Sequence, residues 1–254
     1  MSMPSARANW VAVPLTGEEG SLRCWWSRPA DEPPRAAVLV LPEVFGVNGW
    51  VRSVADRLAA EGYAALAVPL FHHTAPELDL GYSKADLQRG RSHKERTSAH
   101  RLLADLRHAI AWLEAQAAPL ALGCVGFCFG GHMALLAATL PQVRTTCSFY
   151  GAGVASGRPG GGPPTLAVVP EIRGALLCVY GSQDPLIPAA DVEAAQQALT
   201  AADGRHRVRV LDAGHCFLCE ARADYNPVAA QQGWQEMLHW LALHLGASAA
   251  DDRT

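Results

Sequence analysis

The sequence predicts an α/β fold with a mainly parallel central sheet and helices on both faces. Three observations predict it: extended apolar runs recur along the chain, helical apolar spacings lie between them, and half of the 254 residues are hydrophobic, enough for a sizeable core. One domain over residues 1–254 is expected.

Residues 1–8 carry no apolar periodicity and are expected to fray. The first extended run lies at 22–27 and the second, AAVLVL, at 36–41. Asn48 then offers an N-cap to a helix whose Val51, Val54 and Leu58 step by three and four. Strand-like AALAVP follows at 64–69, a helix carrying Leu103, Leu106, Ile110 and Leu113, and a strand at 120–126. TTCSFY at 145–150, ALLCVY at 175–180 and residues 207–211 complete the set of mostly buried strands, and Trp234, Leu238, Leu241 and Leu245 form the apolar stripe of a last helix. SGRPGGGPPT at 156–165 is too rich in Gly and Pro for a regular ladder and reads as a loop. The tail at 246–254, GASAADDRT, is expected to fray like the N-terminus.

Lys and Arg number 21 against 24 Asp and Glu, without clustering, which argues against nucleic acid and against a polybasic membrane contact. The first fifteen residues lack an apolar signal core, and no run approaches the roughly 18 apolar residues of a membrane span. A cytoplasmic protein acting on a small molecule, as a monomer or small homo-oligomer, is expected. The seven cysteines are odd in number, and Cys124, Cys147 and Cys178 sit inside apolar runs, so free thiols are expected.

The chemistry-bearing motif is GFCFGG at 126–131, between LALGCVG and HMALLAATL. Alone, it reads as an inert glycine turn or as a nucleophile elbow, G-x-Nuc-x-G, that lifts Cys128 to the carboxyl edge of the sheet at a helix N-terminus. A phosphate loop is excluded, because His132 and Met133 stand where Lys and Ser/Thr would be needed. Asp184 in YGSQDPLIP and His215 in DAGHCF follow later strands in the order nucleophile, acid, histidine. Either residue alone reads as a turn or loop residue; together with Cys128 they read as a Cys-His-Asp triad. Cys216 and Cys219 have C-x-x-C spacing but no second pair at ligand spacing, so no metal is assigned to them. His72 and His73 in LFHHTAP read equally as a solvated turn and as part of a cleft wall.

With LPEVFGVNGWVRSVADRLAAEGYAALAVPLF, GFCFGG, GSQDPLIP and AGHCF in this order, the chain from about residue 36 to 245 resembles the dienelactone hydrolase (carboxymethylenebutenolidase) family of α/β-hydrolases. The resemblance implies hydrolysis of a small ester or lactone through an acyl-enzyme, without a cofactor. It implies that Glu43, in PEVFG, contacts the resting cysteine and competes with the histidine for it. It also implies an oxyanion hole from the backbone N–H groups of Val44 and Phe129. Tyr150, in SFYGAG, falls where the family has a site tyrosine, although a core tyrosine is an equal reading. One feature departs from the family: its arginine four residues past the histidine, half of a carboxylate clamp, is here Cys219. Arg89, Arg91 and Arg222 are the replacements at hand, and if none reaches the cleft, neutral substrates are expected to be preferred. A non-catalytic ligand-binding or regulatory protein on the same fold is the alternative.

Overall fold

Pairing of the extended runs produces one eight-stranded sheet in the computed structural model, which describes residues 6–17, 19–116, 120–202 and 204–246. The strands are β1 (Ala6–Pro14), β2 (Ser21–Pro29), β3 (Ala36–Leu41), β4 (Tyr63–Ala67), β5 (Leu122–Phe127), β6 (Val143–Phe149), β7 (Ala175–Gly181) and β8 (His206–Leu211). Their order is β1-β2-β4-β3-β5-β6-β7-β8, parallel from β4 to β8, with β1 and β2 antiparallel at one edge. The helices are α1 (Gly49–Ala60), α2 (Lys84–Lys94), α3 (Ala99–Gln116), α4 (Phe129–Ala137), α5 (Ala189–Ala202) and α6 (Pro227–Leu245). None of the described helices is long and apolar enough to cross a membrane.

Strand β5 shows why both faces of the sheet must be covered. Gly123 faces Leu241 and Leu245 of α6, whereas Gly126, three residues on and therefore on the opposite face, meets Ala134 of α4. Arg57 of α1 stacks on Trp234 of α6 at 3.7 Å, so α1 shares the α6 face, and α3 packs against α4 on the other. Between these layers every residue of β3, β5 and β7 is buried, which explains their nearly unbroken apolar sequences. The Asn48 side chain accepts from Val51 N–H and caps α1.

Three expectations need correction. Residues 6–8, expected to fray, belong to β1, where Ala6, Arg7 and Ala8 pair with Pro29, Arg28 and Ser27; residues 1–5 lie outside the described set. The edge strand is largely exposed, so its sequence carries no core signal, and its own ladder and the edge-to-face packing of Trp10 on Trp25 hold it. Strand β8 is also an edge strand and half exposed, not buried. In α3 and α6 the buried positions fall on Leu102 and Met237, leaving Leu103 and Leu238 half buried. At the C-terminus Gly246 N–H bonds Ala242 O, and residues 247–254 lie outside the described set.

The order of the strands positions the site. The chain leaves β3 to one side for β4 and later returns on the other side as β5, so β3 and β5 flank the topological switch point where parallel sheets gather ligands at their carboxyl ends. Glu43 follows β3, Cys128 follows β5, Asp184 follows β7 and His215 follows β8.

Candidate active site

The turn between β5 and α4 is sharp enough to put Cys128 at φ 53°, in the region that strains a residue with a side chain. The strain is held by two glycines that leave no room for a Cβ. One on Gly126 would run into Gly130 O, and one on Gly130 into the backbone of Leu41. The thiol is thereby lifted to the floor of a cleft of about 570 Å³. Of the seven cysteines, all free, Cys128 alone is not buried, and burial pushes the thiols of Cys24, Cys124, Cys147 and Cys178 up, Cys178 to about 12.

Cys128 Sγ lies 3.1 Å from His215 Nε2, and His215 Nδ1 lies 2.6 Å from Asp184 Oδ2. The second Asp184 oxygen accepts from Leu186 N–H at 2.8 Å, which fixes the carboxylate plane. Asp184 and His215 are both buried, so the carboxylate holds the ring with little competition from water. Although burial opposes it, the hydrogen bonds to Asp184 and Cys128 raise the imidazole to about 10. The Cys128 thiol is held well below its usual range by a hydrogen bond from the Cys216 thiol, then, against burial, by His215 and by Phe129 N–H. Both shifts favour the charged forms of the pair, a thiolate beside an imidazolium. Phe129 is the first residue of α4, so its N–H has no helical acceptor and is available to an anion at the elbow. Val44 lines the same cleft.

Glu43 is 1 % exposed, and neither carboxylate oxygen has a hydrogen-bond partner of good geometry. Burial, and next the Cys128 charge, push its carboxyl up to about 7, while the nearby Cys216 thiol opposes the rise. Glu43 makes no hydrogen bond to Cys128, which is bonded to His215, but the two are near enough for their charges to oppose each other. Tyr150, at φ 38°, is fully buried behind the site, its ring 5.3 Å from that of His215 and 5.2 Å from that of Phe217, so it supports the histidine from the core side.

Of the expected basic residues, Arg91 and Arg222 line the cleft and Arg89 does not. Arg222 is half buried, with its guanidinium 5.1 Å from the Phe45 ring and 5.5 Å from the Tyr82 ring. Lys94 and Arg158 line the cleft as well, with Glu95 the acidic residue beside them. Sequence reasoning missed these two cations, since α2 and the Gly/Pro loop meet only in three dimensions. His72 and His73 stay outside the cleft; His73 pairs with buried Asp105 at 3.1 Å and His72 packs edge-on against it. His132, also in the cleft wall, bridges Ala152 O and Thr165 Oγ1, and burial lowers it to about 4, so it is a neutral strut for the loop.

The C-x-x-C pair is divided. Cys219 is buried and donates to Tyr82 Oη at 3.3 Å, whereas Cys216, at φ 59°, turns back toward Cys128. Among the described residues, ligating atoms of Cys128, His215 and Cys216 lie within 4.8 Å of one another.

The model of the "Dienelactone hydrolase family" matches residues 22–245. A Synechocystis protein named "Putative carboxymethylenebutenolidase" is 40% identical over 203 residues, covering 79% of this chain and 82% of that protein. A Bradyrhizobium protein named "Probable 2-oxo-3-(5-oxofuran-2-ylidene)propanoate lactonase" is 30% identical over 249 residues, covering 96% of this chain and 98% of the other. Among solved structures, one from Klebsiella pneumoniae described as "Putative Dienelactone Hydrolase" superposes with a TM-score of 0.83 at 30% identity, covering 94% of this chain and 99% of that one.

Proposed function

This chain belongs to the dienelactone hydrolase family, and from that premise we propose that it cleaves a small ester or lactone through an acyl-enzyme on Cys128. One observation carries the reading: the cleft floor holds a thiol 3.1 Å from an imidazole whose other nitrogen is 2.6 Å from a buried carboxylate. The Cys128 thiolate attacks the carbonyl carbon, and the N–H groups of Phe129 and Val44 receive the developing oxyanion. The His215 imidazolium, steadied by Asp184, gives its proton to the departing alkoxide. Neutral His215 then takes a proton from water, the hydroxide attacks the thioester, and the thiolate is restored. Glu43 works through the charge balance: a buried carboxylate near Cys128 disfavours a second negative charge and so adjusts how firmly the thiolate is held. Arg91, Arg222, Lys94 and Arg158 around the same cleft support a substrate that carries a carboxylate, since a buried anion needs a paired cation.

The test is Cys128→Ala with p-nitrophenyl acetate. A loss of at least about 10³-fold in kcat with an unchanged circular dichroism spectrum is expected, because the members of such a triad act as a unit. Wild-type turnover in the mutant would remove Cys128 as the nucleophile, and no turnover of any activated ester by the native protein would leave the non-catalytic alternative standing.

A further inference from the structure

We propose that Cys128, His215 and Cys216 form a binding site for one thiophilic divalent cation, of which Zn²⁺ is the type, that closes the catalytic centre reversibly. The inhibition rests on the nucleophile reading above; the binding does not.

The donor set comes first. Two sulfurs and one imidazole nitrogen lie within 4.8 Å of one another on the cleft floor. Tetrahedral zinc, with bonds of about 2.3 Å to sulfur and about 2.0 Å to nitrogen, needs its donors roughly 3.5–3.8 Å apart. The 3.1 Å between Cys128 Sγ and His215 Nε2 has to open by only about 0.5 Å to reach that spacing. Mixed thiolate and imidazole ligands select zinc-like ions over Mg²⁺ or Ca²⁺, which demand oxygen.

The surroundings resemble those of metal-bound histidines elsewhere. His215 Nδ1 is already held by the Asp184 carboxylate at 2.6 Å, which leaves Nε2 as the coordinating atom and aims it at the sulfurs. Cys216 is buried and reaches the cluster through a strained φ of 59°. In the proposed ester chemistry its thiol only donates a hydrogen bond to the Cys128 sulfur and forms no covalent bond. Glu43 supplies further negative charge close by, with both oxygens unpartnered in a site 1 % exposed, and it offsets the Arg222 charge near the same sulfurs. Cys128 lines the cleft, so an ion approaches from the substrate side and keeps its fourth position there for water. Coordination takes both sulfurs as thiolates and the imidazole as neutral, so the imidazolium proton and the Cys216 thiol proton leave. The nucleophile and its base are then both occupied.

The experiment is titration of the full-length protein with CdCl₂, followed by the thiolate-to-metal ultraviolet band, and with ZnCl₂, followed by equilibrium dialysis and ester turnover, with MgCl₂ as control. One Zn²⁺ per chain, a band of two-thiolate intensity and loss of turnover restored by EDTA are expected. Cys216→Ala is expected to weaken metal binding at least about 100-fold, and the isosteric Cys216→Ser serves if the alanine variant folds poorly. Unchanged metal affinity in either variant, or inhibition without a thiolate band, would overturn the site. A two-thiolate band with undiminished turnover would uphold the metal site and instead overturn Cys128 as nucleophile.

Discussion

Replacing Glu43 by Gln should stabilise the protein while slowing it. The folded carboxyl titrates at about 7 instead of 4.5, chiefly because burial denies it water and partners. The folded state therefore binds this proton more tightly than the unfolded state does. The sign follows: stability is unpenalised below about pH 4.5, falls as pH rises from there to about 7, and carries the whole penalty above. A rise of that size corresponds to about 3 kcal/mol at pH 8. Glutamine removes the charge but still buries an unpartnered amide, so a gain of about 1–3 kcal/mol is expected, or roughly 3–10 °C in Tm for a chain of this length. Thermal unfolding by circular dichroism at pH 4.5 and pH 8 is the assay, with p-nitrophenyl acetate turnover at pH 8 alongside. The gain should appear at pH 8 and vanish at pH 4.5, while turnover drops. Equal Tm values at pH 8, or the same difference at both pH values, would refute the idea that Glu43 is held ionised against its environment. A stability gain with undiminished turnover would refute its role in the chemistry alone.

Asp184→Asn keeps the shape but removes the charge that helps raise His215 to about 10, and should lower kcat by about 10²–10⁴-fold with a smaller change in KM; stopped-flow acylation rates read it, and a change confined to KM would make Asp184 only a turn residue. Gly130→Ala forces a Cβ into the Leu41 backbone and should cost about 3 kcal/mol or more, whereas Gly204→Ala, with open space around it, should stay within about 0.5 kcal/mol in a urea melt. Arg222→Ala should reduce kcat/KM for a carboxylated lactone by about 10–100-fold and spare a neutral lactone of similar size. Equal losses on both would remove the carboxylate from the substrate reading.

Most of the sheet could be read from sequence because β3 to β7 are covered on both faces, so β3, β4, β5 and β7 are almost all apolar and β6 is buried at six of its seven residues. The exposed edge strand β1 escaped notice for the converse reason, and α2 buries only Gly90 and His93, leaving no periodic stripe to find. Cys128, Asp184 and His215 stand out because each follows a strand and the sheet turns sequence order into proximity. Lys94 and Arg158 do not, since their approach depends on how α2 and the 156–165 loop fold over the cleft. The division of Cys216 from Cys219 was equally hidden. It follows from a positive φ at Cys216 that C-x-x-C spacing does not encode.

The uneven burial of the thiols makes the molecule its own gauge of sample quality. With Cys128 at the cleft and the other six cysteines enclosed, iodoacetamide should label native protein once per correctly folded chain, and seven times after denaturation. The share of chains that carry a single label under native conditions, read by intact mass, gives the fraction with a built elbow. Specific activities from different preparations can then be expressed per working molecule without knowing the natural substrate.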